Sequence, residues 1–301
     1  MHFLSKGYMN YWLRIIPFGI VFGLVGCGGE DTKETVKPVI QENRCAGSVL
    51  DEDSLCVNVG QREAILYKPA NKTGNQGIAL FLHGAPGHAK KVMGIFGAKT
   101  IADKYNLVAL APKGNGSAYE WDSENQARAN SNKDTAFIIE LLTRVKAEHN
   151  ITSDNLYVFG YSAGGFMGYT LACEIPESIT GMVSLAGQFR GAFDSCSTST
   201  PVQIHHLHSR FDQDVPYVGR EAGMVQSVDD TIAFWVDKNA CSGQTKKSEY
   251  PGVTTDSKFS SSLSYQDCME NVTLTILDQV PHEASYLPEK LQAIISDVFH
   301  N

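Results

Sequence analysis

The sequence carries no excess of basic charge. Its 301 residues include 25 Lys and Arg against 33 Asp and Glu, for a formal net charge of −8. Such a surface repels phosphate backbones and anionic lipid patches, which argues against nucleic acid as a partner. No Cys-x-x-Cys pair occurs, so the usual spacing of a structural zinc site is absent and no metal is expected. There is no internal repeat, which excludes solenoids and propellers. No apolar run is long enough for a comfortable membrane span; the best candidate, residues 15–25, is too short.

That short run has another reading. Lys6 and Arg14 supply a positive n-region before it, and it ends in Leu24-Val25-Gly26-Cys27, similar to a bacterial lipobox. We expect residues 1–26 to be a lipoprotein signal peptide, with cleavage before Cys27 and lipidation of its thiol. An ordinary signal peptide is the alternative, and both readings export the protein. Residues 28–42 are polar and aperiodic, so 27–44 is expected to be a flexible tether from the lipid. The folded domain is expected over 45–301. Membrane contact would then come through the lipid, on the periplasmic or the cell-surface face; without the lipid the protein would be secreted.

Seven cysteines are present. With Cys27 lipidated, an even number remains for an oxidising compartment. Sequence-local pairing, Cys45 with Cys56, Cys173 with Cys196 and Cys241 with Cys268, is one expectation among the connectivities they allow.

The most informative stretch is Tyr157-Val158-Phe159-Gly160-Tyr161-Ser162-Ala163-Gly164-Gly165. An apolar strand runs into Gly-x-Ser-x-Gly, and a helix-capable run follows. In such a nucleophile elbow the turn is tight enough to need glycine two positions either side of the serine. The strained turn lifts the hydroxyl above the sheet edge, and the N–H that follows can bind an oxyanion.

Strand-like and helix-like segments alternate around it. Strands are expected at 62–67, 77–82, 107–111, 155–159, 181–186, 202–208 and 272–277. Helices are expected at 90–104, 135–148 with Asp134 as N-cap, 166–172, 229–238 and 289–299. The polar segment 242–267 reads as a surface loop. Alternation of this kind implies an α/β fold, a mostly parallel sheet with helices on both faces and its site at the carboxyl ends of the strands. No long apolar insertion follows the elbow helix, so no large lid is expected.

A serine hydroxyl needs a base, and the base needs an orienting acid. With the chain order Ser, acid, His, the base is expected at His282, in a loop after the last strand. His300 is the penultimate residue. His205, His206 and His208 precede every candidate acid. On a strand His206 and His208 share a face and His205 points away, so they do not converge as metal ligands. For the acid, Asp212 and Asp214 compete, with Asp278 more distant; Asp212 falls nearer the strand end. Ala163, after the serine, and Ala85, in Leu82-His83-Gly84-Ala85-Pro86-Gly87, are the candidate oxyanion donors.

Together these residues resemble the poly(3-hydroxybutyrate) depolymerase and feruloyl esterase-like family of secreted α/β-hydrolases over about residues 60–300. The resemblance rests on Leu82-His83-Gly84, Trp121, Asp134-Thr135-Ala136-Phe137-Ile138, the Gly160–Gly165 motif, Ala172-Cys173-Glu174 with Cys196, His208 to Tyr217, Phe234-Trp235, Cys241, Cys268 and His282. It implies an α/β-hydrolase fold, the acid at Asp212, and a Cys173–Cys196 pair. It also implies hydrolysis of carboxylic esters, including polyesters and feruloylated or acetylated polysaccharide, without a cofactor. Ser209 stands where the family often has Gly. His282-Glu283-Ala284-Ser285 replaces a His-x-Trp-Pro run, so substrate preference does not carry over. A peptidase or acyltransferase with the same triad, and a non-catalytic surface-binding lipoprotein, are the alternative functions.

Overall fold

The computed structural model describes residues 43–70, 75–115, 120–124 and 132–299. The expected signal peptide, Cys27, most of the expected tether, and His300 lie outside the described residues.

The first described elements are two short strands, β1 (Arg44–Cys45) and β2 (Ser48–Val49), which pair with each other. Ten further strands form one sheet: β3 (Ser54–Val59), β4 (Arg62–Tyr67), β5 (Gly77–Leu82), β6 (Leu107–Pro112), β7 (Leu156–Tyr161), β8 (Gly181–Leu185), β9 (Ile204–His208), β10 (Thr245–Pro251), β11 (Phe259–Tyr265) and β12 (Val272–Leu277). Their spatial order is β10-β11-β12-β9-β8-β7-β5-β6-β4-β3. From β6 through β5, β7, β8 and β9 to β12 the strands run parallel, and antiparallel pairs finish both edges. This is the α/β-hydrolase fold.

The central strands are buried on both faces, which is why they read as continuous apolar runs. Ile78, Leu80 and Leu82 of β5 enter the core on one face, and Ala79 and Phe81 enter the core on the other. Helices α3 (Lys133–His149), α4 (Ala163–Glu174) and α5 (Val228–Lys238) contribute to the first face. Helices α1 (Ala89–Phe96), α2 (Ala98–Tyr105) and α6 (Pro288–Ile294) cover the second.

Four details depart from the expected elements. The helix expected at 90–104 is two helices, divided at Gly97, whose φ of 65° lies in the left-handed region that glycine enters without strain. The N-cap of α3 is Asn132, whose side chain accepts from Asp134 N and Thr135 N; Asp134 sits in the first turn and pairs with Arg62. The closing helix gives way to a 3-10 turn over Ile295–Phe299. The expected loop at 242–267 is the β10–β11 hairpin, in register from Thr245 opposite Tyr265 to Pro251 opposite Phe259. β10 is an exposed edge strand, so it shows no apolar alternation, and Lys246 and Lys247 occupy an edge where charge discourages pairing with another chain.

Cys45 is joined to Cys56, Cys173 to Cys196 and Cys241 to Cys268. The second bond ties the last turn of α4 to residue 196, across a sequence separation of 23. Closing a loop of that size restricts the unfolded chain, so replacing both Cys173 and Cys196 by Ala is expected to lower stability by about 2–4 kcal/mol. Urea unfolding measures this; an unchanged midpoint and slope would contradict it.

Candidate active site

The elbow is built by close backbone approach. Ser162 joins β7 to α4 with φ 53° and ψ −119°, a conformation that strains a residue with a side chain by about 1–3 kcal/mol. Its N–H is held by Leu185 O at 2.9 Å, and its carbonyl accepts from Gly165 N and Phe166 N. A β-carbon on Gly160 would collide with the Gly164 carbonyl, and one on Gly164 would collide with the carbonyl of Leu82. The two glycines therefore let α4 start immediately beside β5 and β7.

Three loops at the carboxyl ends of β7, β9 and β12 meet at the serine. Ser162 Oγ lies 2.9 Å from His282 Nε2, and His282 Nδ1 lies 2.7 Å from Asp212 Oδ2. A carboxylate accepts, so Nδ1–H donates to Asp212, and Nε2 is left to accept from the hydroxyl. All three residues are buried. Asp212 Oδ1 accepts from Asp214 N at 3.0 Å and Val215 N at 2.8 Å. Asp214 is exposed and lines the cleft, and Asp278, just after β12, bonds its N–H to Phe259 O at the start of β11.

The loop after β5 is pinned by His83. Its Nδ1–H donates to Gly84 O at 2.7 Å, and its Nε2 accepts from Gly114 N at 2.9 Å. In a trans peptide C=O and N–H point oppositely, so drawing Gly84 O toward the ring turns Ala85 N–H away from it. A β-carbon on Gly84 would lie 3.2 Å from Ser162 Cβ, which places this peptide against the serine. Ala163 opens α4, where N–H groups lack intrahelical acceptors. Trp121 Nε1 donates to His83 O at 2.8 Å. Asp134 fastens the segment beside Trp121 by accepting from Asp122 N at 2.6 Å while it pairs with Arg62.

Ser162, His282, Ala85 and Ala163 face a cleft of about 540 Å³. Trp121, Phe166 and Val215 give it apolar walls, and Glu120, Arg190, Arg220 and Glu283 give it charged ones. Two residues whose partners are distant in sequence brace it. Tyr161 donates its hydroxyl to His282 O at 2.8 Å. Ser209 Oγ accepts from Phe211 N at 3.1 Å and Val280 N at 3.2 Å, joining the Asp212 loop to the His282 loop. Sequence reasoning missed both. The Ser-for-Gly departure at 209 was the one available signal. His205 lies on the opposite face of β9 from His206 and His208, bonded to Asp297 and Thr275.

A model of the phospholipase/carboxylesterase family matches residues 72–259. The chain belongs to that family. It is 26% identical over 191 residues to the bifunctional acetylxylan esterase/xylanase XynS20E of Neocallimastix patriciarum, a match covering 63% of this chain and 26% of that protein. It is 29% identical over 170 residues to the poly(3-hydroxybutyrate) depolymerase of Ralstonia pickettii, covering 52% and 33%. The chain thus spans only about a quarter to a third of these two relatives. Its fold matches an acetyl xylan esterase from Aspergillus awamori with a TM-score of 0.63 at 14% identity, over 81% of this chain and 98% of that one.

Burial holds His83 at about 4, below the ordinary 6.5, and drives His206 and His208 down in the same direction. Between the folded and unfolded pKa values the unfolded chain binds more protons, so stability is lost as pH falls. For His83 that window runs from 6.5 to about 4. The urea midpoint is expected to fall between about pH 7 and about pH 5, before most carboxylates titrate. A midpoint that stays level or rises would contradict three neutral buried imidazoles.

Proposed function

We propose that the protein is an exported serine esterase that hydrolyses carboxylic esters through an acyl-enzyme. The observation that carries this reading is the continuous hydrogen-bonded line Ser162–His282–Asp212 at the mouth of a cleft. Ser162 Oγ attacks the ester carbonyl while His282 Nε2 takes its proton. The N–H groups of Ala163 and Ala85 stabilise the oxyanion. Imidazolium His282, balanced by Asp212, then protonates the departing alcohol. Water, activated by the same imidazole, releases the acid and restores the serine. No cofactor enters any step.

A bulky or polymer-attached ester suits the cleft. Between α4 and Asp212 the chain forms only β8, β9 and short 3-10 turns, with no helical lid inserted. Polyester and acetylated xylan are the substrate classes suggested by these relatives' names, and feruloylated polysaccharide is the one added by the sequence resemblance. Export is supported by the residue 1–27 pattern and by the paired cysteines. Lipidation at Cys27 tethers the domain to the membrane in this reading.

Purified protein is expected to hydrolyse p-nitrophenyl acetate and butyrate, with kcat lowered by at least about 10,000-fold in Ser162→Ala. Equal rates for the two proteins, or no turnover by folded and disulfide-bonded wild type, would defeat the proposal.

A further inference from the structure

Tyr169 of α4 and His206 and His208 of β9 are fully buried and take no part in the steps above. They form one hydrogen-bonded line. Tyr169 Oη lies 2.9 Å from His206 Nδ1, His206 Nε2 lies 3.3 Å from His208 Nδ1, and His208 Nε2 lies 2.8 Å from the carbonyl oxygen of Val215.

The place of each proton follows from the far end. A carbonyl only accepts, so His208 Nε2 carries hydrogen. Burial, and for His206 the adjacent imidazoles, holds both rings below the ordinary histidine range and keeps them neutral. His208 Nδ1 is then an acceptor, His206 Nε2 its donor, and His206 Nδ1 the acceptor for the Tyr169 hydroxyl. Every ring nitrogen is satisfied with a single polarity.

The receiving carbonyl belongs to the loop that carries Asp212. Val215 is gripped from both sides: its N–H by Asp212 Oδ1 and its C=O by His208. His208 Nε2 also sits 3.6 Å from Asp212 Oδ2, beyond hydrogen-bond length. In the other tautomer a lone pair would face the carbonyl.

We propose that His208 is a positioning residue for the acid. It holds the Asp212–Val215 turn so that the carboxylate meets His282, and His206 and Tyr169 set its tautomer. This rests on the proposed roles of Ser162, His282 and Asp212. The line makes β9 and α4 a template for the loop, so the acid is placed by the same helix that begins at the nucleophile.

Three variants of the full-length protein test it: His208→Leu, which keeps bulk and removes the donor; His208→Gln, whose amide N–H can reach the same carbonyl; and Tyr169→Phe. With p-nitrophenyl acetate, His208→Leu is expected to lower kcat by about 10- to 100-fold with little change in KM. His208→Gln should restore most of the loss. Tyr169→Phe should lower kcat by about 3- to 10-fold, and it decides the matter if His208→Leu does not fold. The second readout is the low-field proton resonance of His282 Nδ1–H against Asp212, expected in wild type and in Ser162→Ala and shifted or lost in His208→Leu. That resonance does not depend on ester turnover, so failure of the esterase reading is separable from failure of the positioning role. Folded His208→Leu with unchanged kcat and resonance would overturn the proposal. So would a raised KM at unchanged kcat, or no rescue by His208→Gln, or, where only Tyr169→Phe folds, no change from wild type.

Discussion

A carboxylate with 3% of its residue exposed lies at the carboxyl end of the sheet, and the site is arranged around the hydrogen bonds that hold it there. A buried polar group left without hydrogen-bond partners is costly. Asp212 avoids this with two backbone N–H donors on one oxygen and the His282 N–H on the other. The same interaction fixes the imidazole tautomer and turns its second nitrogen toward Ser162. The Asp212 loop, the His282 loop and the elbow are therefore coupled. Ser209 joins the first two, and Tyr161 joins the last two.

The fold makes this coupling possible through strand order. β7, β9 and β12 are separated along the chain but lie within one parallel block, so their following loops open on the same edge. At that edge the glycines around Ser162 allow helix and strand backbones to approach closely, and His83 orients the neighbouring peptide. Burial pushes His83, His206 and His208 below the ordinary histidine range, so they serve as fixed neutral donors and acceptors.

Much of the architecture was legible because its signals are local. Strands buried on both faces give apolar runs, and Gly-x-Ser-x-Gly encodes its own turn. The order of the chain was enough to pair Ser162 with a late histidine and an intervening aspartate, and closeness to the strand end favoured Asp212 over Asp214. What escaped notice depends on solvent or on distance. The β10–β11 hairpin was hidden because an edge strand facing water has no reason to alternate. The division at Gly97 was hidden because both halves keep helical periodicity. Tyr161 meets His282 across 121 positions, and Ser209 meets Val280 across 71, so beyond the Ser-for-Gly departure at 209 nothing in their immediate surroundings marks them. Strand alternation is enough to put His206 and His208 on one face, but their link to Tyr169 and Val215 exists only in three dimensions.

In the proposed mechanism Ser162 is a nucleophile activated by His282. The most direct measurement is reaction with a fluorophosphonate followed by mass spectrometry of the labelled peptide. An adduct confined to Ser162, and strongly reduced in folded His282→Ala, is the expected result. A folded, disulfide-bonded protein that stays unlabelled, or that is labelled equally with and without His282, would contradict it.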